Sequence, residues 1–176
     1  MPELFTKPIQ RGLAAYRNRN ALCYLYGAKG TYLANRQAVL NFFAAEPGYF
    51  AKYTAEEKEQ IIRNSIGKTA YDCSGFTGWV CTGDRQWSTG QINNCSLITT
   101  PALGVAGSLL YTTFGGKGRH ISLDIGYGWC LDMGFESTDA VVARNDHSVR
   151  LTRISETAWE KSGRSRLLDY TGATNL

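Results

Sequence analysis

At 176 residues the chain is long enough for one domain that buries about two thirds of its unfolded surface. Its 43% hydrophobic and 19% charged residues exclude a disordered composition. The net charge of +4 is spread over isolated Lys and Arg, too diffuse for a nucleic-acid partner but suited to an anionic surface or polymer.

Residues 4 to 17 carry Leu4, Phe5, Ile9, Leu13, Ala14 and Tyr16 at helical spacing, with Pro8 early enough for a first turn. The aromatic stretch from Leu22 follows and ends in Gly27-Ala28-Lys29-Gly30. Like Gly115-Gly116-Lys117-Gly118, it lacks the spacing of a phosphate loop and reads as a turn. Asn35 to Glu46 predicts a helix with Val39, Leu40, Phe42 and Phe43 on its apolar side, stopped by Pro47-Gly48. Thr54-Ala55-Glu56-Glu57 is a capping box that opens another, with Ile61 and Ile62 inward and Gly67 at its end. A helix from Cys73 to Cys81 breaks at Thr82-Gly83-Asp84, and Ser88 to Gln91 caps one more short turn.

After Pro101 short β-type runs take over: Gly107 to Thr113, Arg119 to Ile125, Gly128 to Met133, Ala140 to Ala143, Val149 to Thr152 and Arg166 to Tyr170. Helices over 1–100 followed by antiparallel strands over 101–176 is an α+β pattern in a single domain. No apolar run approaches the roughly 18 residues of a spanning helix.

Cysteine chemistry is concentrated at Tyr71-Asp72-Cys73-Ser74-Gly75-Phe76. Asp72 is an N-cap type whose carboxylate accepts from first-turn amides, which places Cys73 where the helix dipole favours a thiolate. Such a thiolate attacks acyl carbon, and the amides of the same turn donate to the oxyanion that forms. The competing reading is a buried structural cysteine at a helix start.

The other cysteines, Cys23, Cys81, Cys95 and Cys130, show no two-residue spacing of a zinc or thioredoxin motif. With only His120 and His147 to complete a ligand set, no metal and no cofactor is expected. The odd count leaves a free thiol unless chains are cross-linked, which suits synthesis in a reducing compartment.

Of the two histidines, His147 lies in the polar stretch Arg144-Asn145-Asp146-His147-Ser148, which reads as a surface turn. His120 begins the alternating run to Ile125, a half-buried strand with Ile121, Leu123 and Ile125 on one face and His120, Ser122 and Asp124 on the other. If the following loop is centred on Gly126, Asp132 falls directly opposite His120, about 5 Å away at Cβ. It would then orient the imidazole. A two-residue loop would move Asp132 off that face unless a bulge restored it. Asp124 is the fallback orienter.

Asp72-Cys73-Ser74-Gly75-Phe76, taken with the strand His120-Ile121-Ser122-Leu123-Asp124-Ile125-Gly126, resembles the nucleophile and histidine motifs of the NlpC/p60 cysteine peptidases. The likeness spans roughly residues 20 to 170. It implies a papain-like α+β fold in which the nucleophile opens a helix packed on an antiparallel sheet. On the matching positions it implies Cys73 as nucleophile, His120 as base and Asp132 as orienter. Tyr24, within Tyr24-Leu25-Tyr26-Gly27-Ala28, becomes the hydroxyl beside the nucleophile. Asp72, Ser74 and Gly75 become its support. Gly107-Ser108-Leu109-Leu110 sits where the family has Gly-Asp-Leu, and Trp159 with Arg166 to Tyr170 resembles its last strand. Ser108 replaces the usual aspartate, Ala28 the second glycine, and Asp132 a position where His, Asn or Gln are commoner.

What this implies is a monomeric peptidoglycan endopeptidase that cuts stem peptides between γ-D-glutamate and the diamino acid. Nucleic acid and membrane spans are not expected, and an immunity or delivery partner stays open. The alternatives are an amidase or acyltransferase with the same site, and a non-catalytic wall-binding module. Met-Pro-Glu-Leu-Phe-Thr-Lys lacks the design of a signal peptide. The expected setting is therefore the bacterial wall, reached by injection, phage release, or as a piece of a secreted protein.

Overall fold

The computed structural model describes residues 2–81, 87–134 and 148–173. Its largest element is a six-stranded antiparallel sheet in the order β5-β10-β6-β7-β8-β9. The strands are Cys95–Thr99 (β5), Leu109–Phe114 (β6), Lys117–Gly126 (β7), Trp129–Met133 (β8), Val149–Arg153 (β9) and Lys161–Ser165 (β10). A three-stranded sheet lies apart from it, with Thr69–Tyr71 (β4) between Leu22–Tyr24 (β2) and Lys29–Tyr32 (β3). Glu3–Leu4 (β1) pairs in parallel with Leu168–Asp169 (β11) and ties the two ends of the chain together.

Among the described residues six helices accompany these sheets: α1 Thr6–Arg17, α2 Arg36–Ala45, α3 Pro47–Phe50, α4 Ala55–Ser65, α5 Cys73–Cys81 and α6 Ser88–Asn93. The local signals account for their starts. Asn35 accepts from the Ala38 amide, and Thr54 with Glu57 closes both bonds of the capping box. Gly67, at φ +81°, follows α4 in a conformation that glycine adopts freely. Pro47, expected as a stop, opens α3 at its first position, where its missing N–H costs nothing.

Two apolar clusters hold the parts together. One joins α1, α5 and the large sheet through Ala15, Phe76, Val80, Ile121, Leu123 and Leu131; the other joins α2, α3 and α4 to the small sheet through Val39, Phe50, Ile61, Ile62 and Ala70. On α1 the buried positions are Pro8, Gly12 and Ala15, while Leu4 lies outside the helix and Ala14 is exposed. A side chain on Gly12 would meet Leu131 Cδ1 at 2.6 Å, so bareness brings α1 close to the sheet. Arg11 of α1 donates through Nε to Val80 O (2.6 Å) and through Nη2 to Cys81 O (3.0 Å), placing a cation at the negative end of α5.

Several sequence expectations give way here. Among the described residues the helical half contains five strands, and β5 joins the large sheet as its edge. The strand expected over Arg166 to Tyr170 lies earlier, at Lys161–Ser165, with only Leu168–Asp169 pairing beyond it. Lys-Ser-Gly-Arg-Ser shows no alternation because the site selects smallness: a Cβ on Gly163 would meet Cys95 Cβ at 2.8 Å. Lys29 and Gly30 belong to β3, leaving the turn to Gly27. Ser88 is the first residue of α6 and its hydroxyl bonds Gly118 O, with Trp87 at the cap. The expected break at Thr82-Gly83-Asp84, the strand Ala140 to Ala143, and His147 lie outside the described residues.

Candidate active site

β4, the middle strand of the small sheet, runs directly into Asp72 and α5, so the position of Cys73 is set by a strand on one side and a buried helix on the other. The Asp72 carboxylate, 2% exposed, accepts from the Gly75 amide (2.6 Å), the Ser74 hydroxyl (2.9 Å) and the Gly27 amide (3.2 Å). Lys29 Nζ completes the set at 2.8 Å from Oδ1, bonds Ser74 Oγ as well, and lies 4.1 Å from the centre of the Trp87 ring. Asp72 thus caps α5 and clamps the loop after β2 onto it. Gly75 is required by that closeness, because a Cβ there would run into the Ala28 carbonyl oxygen. Asp72 having taken the Gly75 amide, the amides of Cys73 and Ser74 are the first-turn donors with no i−4 partner in the helix.

His120 comes from β7. Its Nε2 lies 2.7 Å from Asp132 Oδ1, which leaves Nδ1 as the ring nitrogen available to the nearby Cys73 thiol. Trp159 stacks on the imidazole, with centroids 5.3 Å apart and planes 12° from parallel. Asp132 is itself held by Arg150 Nη2 at 2.8 Å from Oδ2, directly across β8 and β9. Burial disfavours the imidazolium, but the Asp132 carboxylate, with Cys73, outweighs it and pushes His120 up to about 10. Burial likewise works to raise the Asp132 carboxyl, yet His120 and Arg150 hold it below its ordinary value.

The two partners do not face each other as expected. Leu123 pairs with Leu131 and Asp124 with Cys130, so continuing the register sets His120 against Gly134 and Asp132 against Ser122. The loop is Tyr127-Gly128, two residues, with Gly126 against Trp129; a bulge at Ile125 then shifts the ladder and returns Asp132 to the face of His120. The contact is therefore diagonal, reached by the long imidazole. Gly134 makes room for it, since a Cβ there would lie 2.5 Å from His120 Cε1. The strand is also not half-buried. Ser122 and Asp124 are 0% and 4% exposed, as enclosed as Ile121 and Leu123 opposite.

Tyr24 ends β2 beside Cys73. Burial, Cys73 and Tyr49 of α3 together raise its pKa well above the ordinary value. Tyr26 stacks on Tyr49 at 3.9 Å. A cleft of about 610 Å³ opens here, lined on one side by Tyr24, Tyr26 and Tyr49 and on the other by Phe114, Lys117, Arg119 and His120 from the β6–β7 hairpin.

Of the residues singled out from sequence, Cys73, His120, Asp132 and Tyr24 lie together, and Asp72, Ser74 and Gly75 lie at the start of α5. Asp124 does not take part. It bonds the Gly126 amide (2.8 Å) and faces another cavity. Sequence reading missed Lys29, Tyr49, Arg150 and the stacking role of Trp159. A buried aspartate beside a nucleophile calls for a cation, which is the one signal that could have found Lys29. All five cysteines are free and buried, and among the described residues no three His, Cys, Asp or Glu side chains gather as metal ligands. None of the described helices is long and apolar enough to cross a membrane.

Fold and site define a class: an α+β protein in which a cysteine opening a helix lies beside a histidine and an aspartate of an antiparallel sheet. No protein-family model matches the chain, and no curated protein matches it. Solved structures do. The NlpC/p60 domain of the peptidoglycan hydrolase SagA aligns with a TM-score of 0.52 and 16% identity, over 90% of this chain and 97% of that one. The peptidoglycan hydrolase RipB of Mycobacterium tuberculosis aligns at 0.53 and 16%, over 94% of this chain and 67% of that one. RipD of the same organism, described as a non-catalytic NlpC/p60 domain protein adapted to peptidoglycan binding, aligns at 0.51 and 15%, over 93% and 98%. The chain has the NlpC/p60 fold.

Proposed function

We propose that this chain is a cysteine peptidase of one catalytic unit that hydrolyses peptidoglycan stem peptides, at the bond between γ-D-glutamate and the diamino acid. The observation that carries the reading is the His120 ring, hydrogen-bonded through Nε2 to Asp132 and placed so that Cys73 acts on its charge. Proton transfer from Cys73 to Nδ1 gives the thiolate, which attacks the amide carbon. The tetrahedral oxyanion is received by the Cys73 and Ser74 amides and the Tyr24 hydroxyl. His120 then passes the proton to the leaving amine. Water attacks the thioester, and Cys73 is released.

The fold alone does not separate this reading from wall binding, since both RipB and RipD share it. The assembled Cys73, His120 and Asp132 favour catalysis. An amidase or acyltransferase would use the same groups on a different amide. Purified sacculi incubated with the chain should release fragments whose masses identify γ-D-glutamyl cleavage, and Cys73→Ala should release none. Undiminished release by Cys73→Ala would sink the mechanism. Cleavage at another amide would reassign the activity. Release by neither protein, with both bound to sacculi, would favour the binding module. Action on the bacterial wall follows from this reading, as does a monomeric state, which sedimentation would check.

A further inference from the structure

The β6–β7 hairpin carries two cations beside His120 that the chemistry above does not use. Strict alternation along β7 would send Arg119 and His120 to opposite faces. The ladder instead runs Thr112 with His120 and then Thr113 with Gly118, which leaves Arg119 as the extra residue of a bulge. Arg119 thereby lines the same cleft as His120, together with Lys117. Among the described residues neither cation is in an ion pair.

The hairpin is anchored rather than free to swing. Ser88 Oγ donates to Gly118 O at 2.9 Å, and Gly118 N donates to Thr89 Oγ1 at 3.1 Å. A Cβ on Gly118 would lie 2.6 Å from Ile92 Cδ1, so α6 lies hard against the hairpin. Glu160 spends its carboxylate on the Thr113 amide and hydroxyl. Two exposed cations on a fixed hairpin, in a cleft otherwise walled by tyrosines and Phe114, are placed to receive an anion of the ligand.

We infer that Lys117 and Arg119 form a subsite that reads a free carboxylate of the substrate close to the scissile amide. The inference rests on the peptidase reading: a glutamyl residue linked through its side chain keeps its α-carboxylate free, a few bonds from the amide that is cut. A carboxamide there keeps the shape but loses the charge and the paired acceptor geometry that a guanidinium matches. The pair therefore selects stem peptides with the free acid over their amidated forms.

The test uses two synthetic peptides, L-Ala-γ-D-Glu-L-Lys-D-Ala with the glutamyl α-carboxyl free or as the carboxamide. Lysine at the third position adds no side-chain carboxylate. Binding is measured calorimetrically on Cys73→Ala, so that turnover does not intervene. The acid should bind roughly tenfold tighter than the amide, the gain expected of hydrogen bonds to a charged group. That preference should shrink as salt is raised. Adding Lys117→Gln and Arg119→Gln should bring the acid down to the affinity of the amide, whereas Lys117→Arg should keep the preference. Equal affinities on Cys73→Ala, no binding of either peptide, or a preference that survives both glutamines would overturn the subsite. Wild-type chain on the acid peptide checks the other reading separately. Selective binding without cleavage would remove the peptidase and leave the subsite standing.

Discussion

Asp124 and Asp132 lie on one polar row of the β7–β8 hairpin, 4% and 2% exposed, and meet opposite fates. Asp132 has His120 on one oxygen and Arg150 on the other, and these cations hold it ionised against burial. Asp124 has the Gly126 amide, and burial pushes its carboxyl up to about 6 despite that bond. It faces a cavity of about 430 Å³ whose walls include Thr100, Ala106 and Arg153, away from the histidine. Same residue type, same strand pair, similar burial: what separates orienter from bystander is a cation on the neighbouring strand. A buried carboxylate directs an imidazole only when something else keeps it charged.

The sharpest way to break this contrast is to neutralise each carboxylate in turn. Asp132→Asn should lower kcat/KM for stem-peptide hydrolysis by roughly 10²- to 10⁴-fold, because the imidazole loses its tautomer and its charge partner. Asp124→Asn should leave hydrolysis near the wild-type rate. Equal losses in the two variants would refute the assignment.

Arg150→Gln comes next. It keeps Asp132 beside His120 but removes the second cation, so the rate should fall less than in Asp132→Asn. Stability in urea denaturation should drop by about 1–3 kcal/mol, the cost of leaving a buried charge under-partnered. An unchanged denaturation midpoint would show that Arg150 is dispensable to Asp132.

The pH dependence separates the two aspartates by sign. His120 is raised from 6.5 to about 10 in the folded chain, so its contribution to stability is full below 6.5 and is lost as pH rises through 10. The advantage of wild type over Asp132→Asn should therefore narrow between those values in thermal melts. Asp132, lowered, adds stability above its ordinary 3.8 that is lost in acid. Asp124 does the reverse: raised from 3.8 to about 6, its ionisation costs stability across that interval and at all higher pH. Asp124→Asn should accordingly be more stable than wild type at pH 8 and equal to it at pH 3. A gain at pH 3 would point to packing instead of charge.

How much of this was legible depends on how far each feature reaches along the chain. The α5 start at Cys73 and the Thr54 capping box are set within three residues and appear where the residues placed them, and the helix expected from Asn35 begins at Arg36 with Asn35 as its cap. The histidine strand and the shared face of His120 and Asp132 followed from parity over twelve residues. The register did not, because one bulged residue, Ile125, changes which residues stand opposite without changing the composition. β10 was misplaced for a related reason: its small polar residues are selected by neighbours on β5 and β6, and carry no pattern of their own.

The sequence by itself determined the chemistry available: a cysteine opening a capped helix, one histidine on a strand, and an aspartate able to reach it; the strand begins three residues before His120, at Lys117. Tertiary structure alone decided which groups tune that chemistry. Lys29 reaches Asp72 across 43 residues, Arg150 reaches Asp132 across 18, and Tyr49 of α3 acts on the charge of Tyr24 at the end of β2. Electrostatic tuning depends on distance in space and on exclusion of water. Neither quantity exists until the sheets and helices have packed.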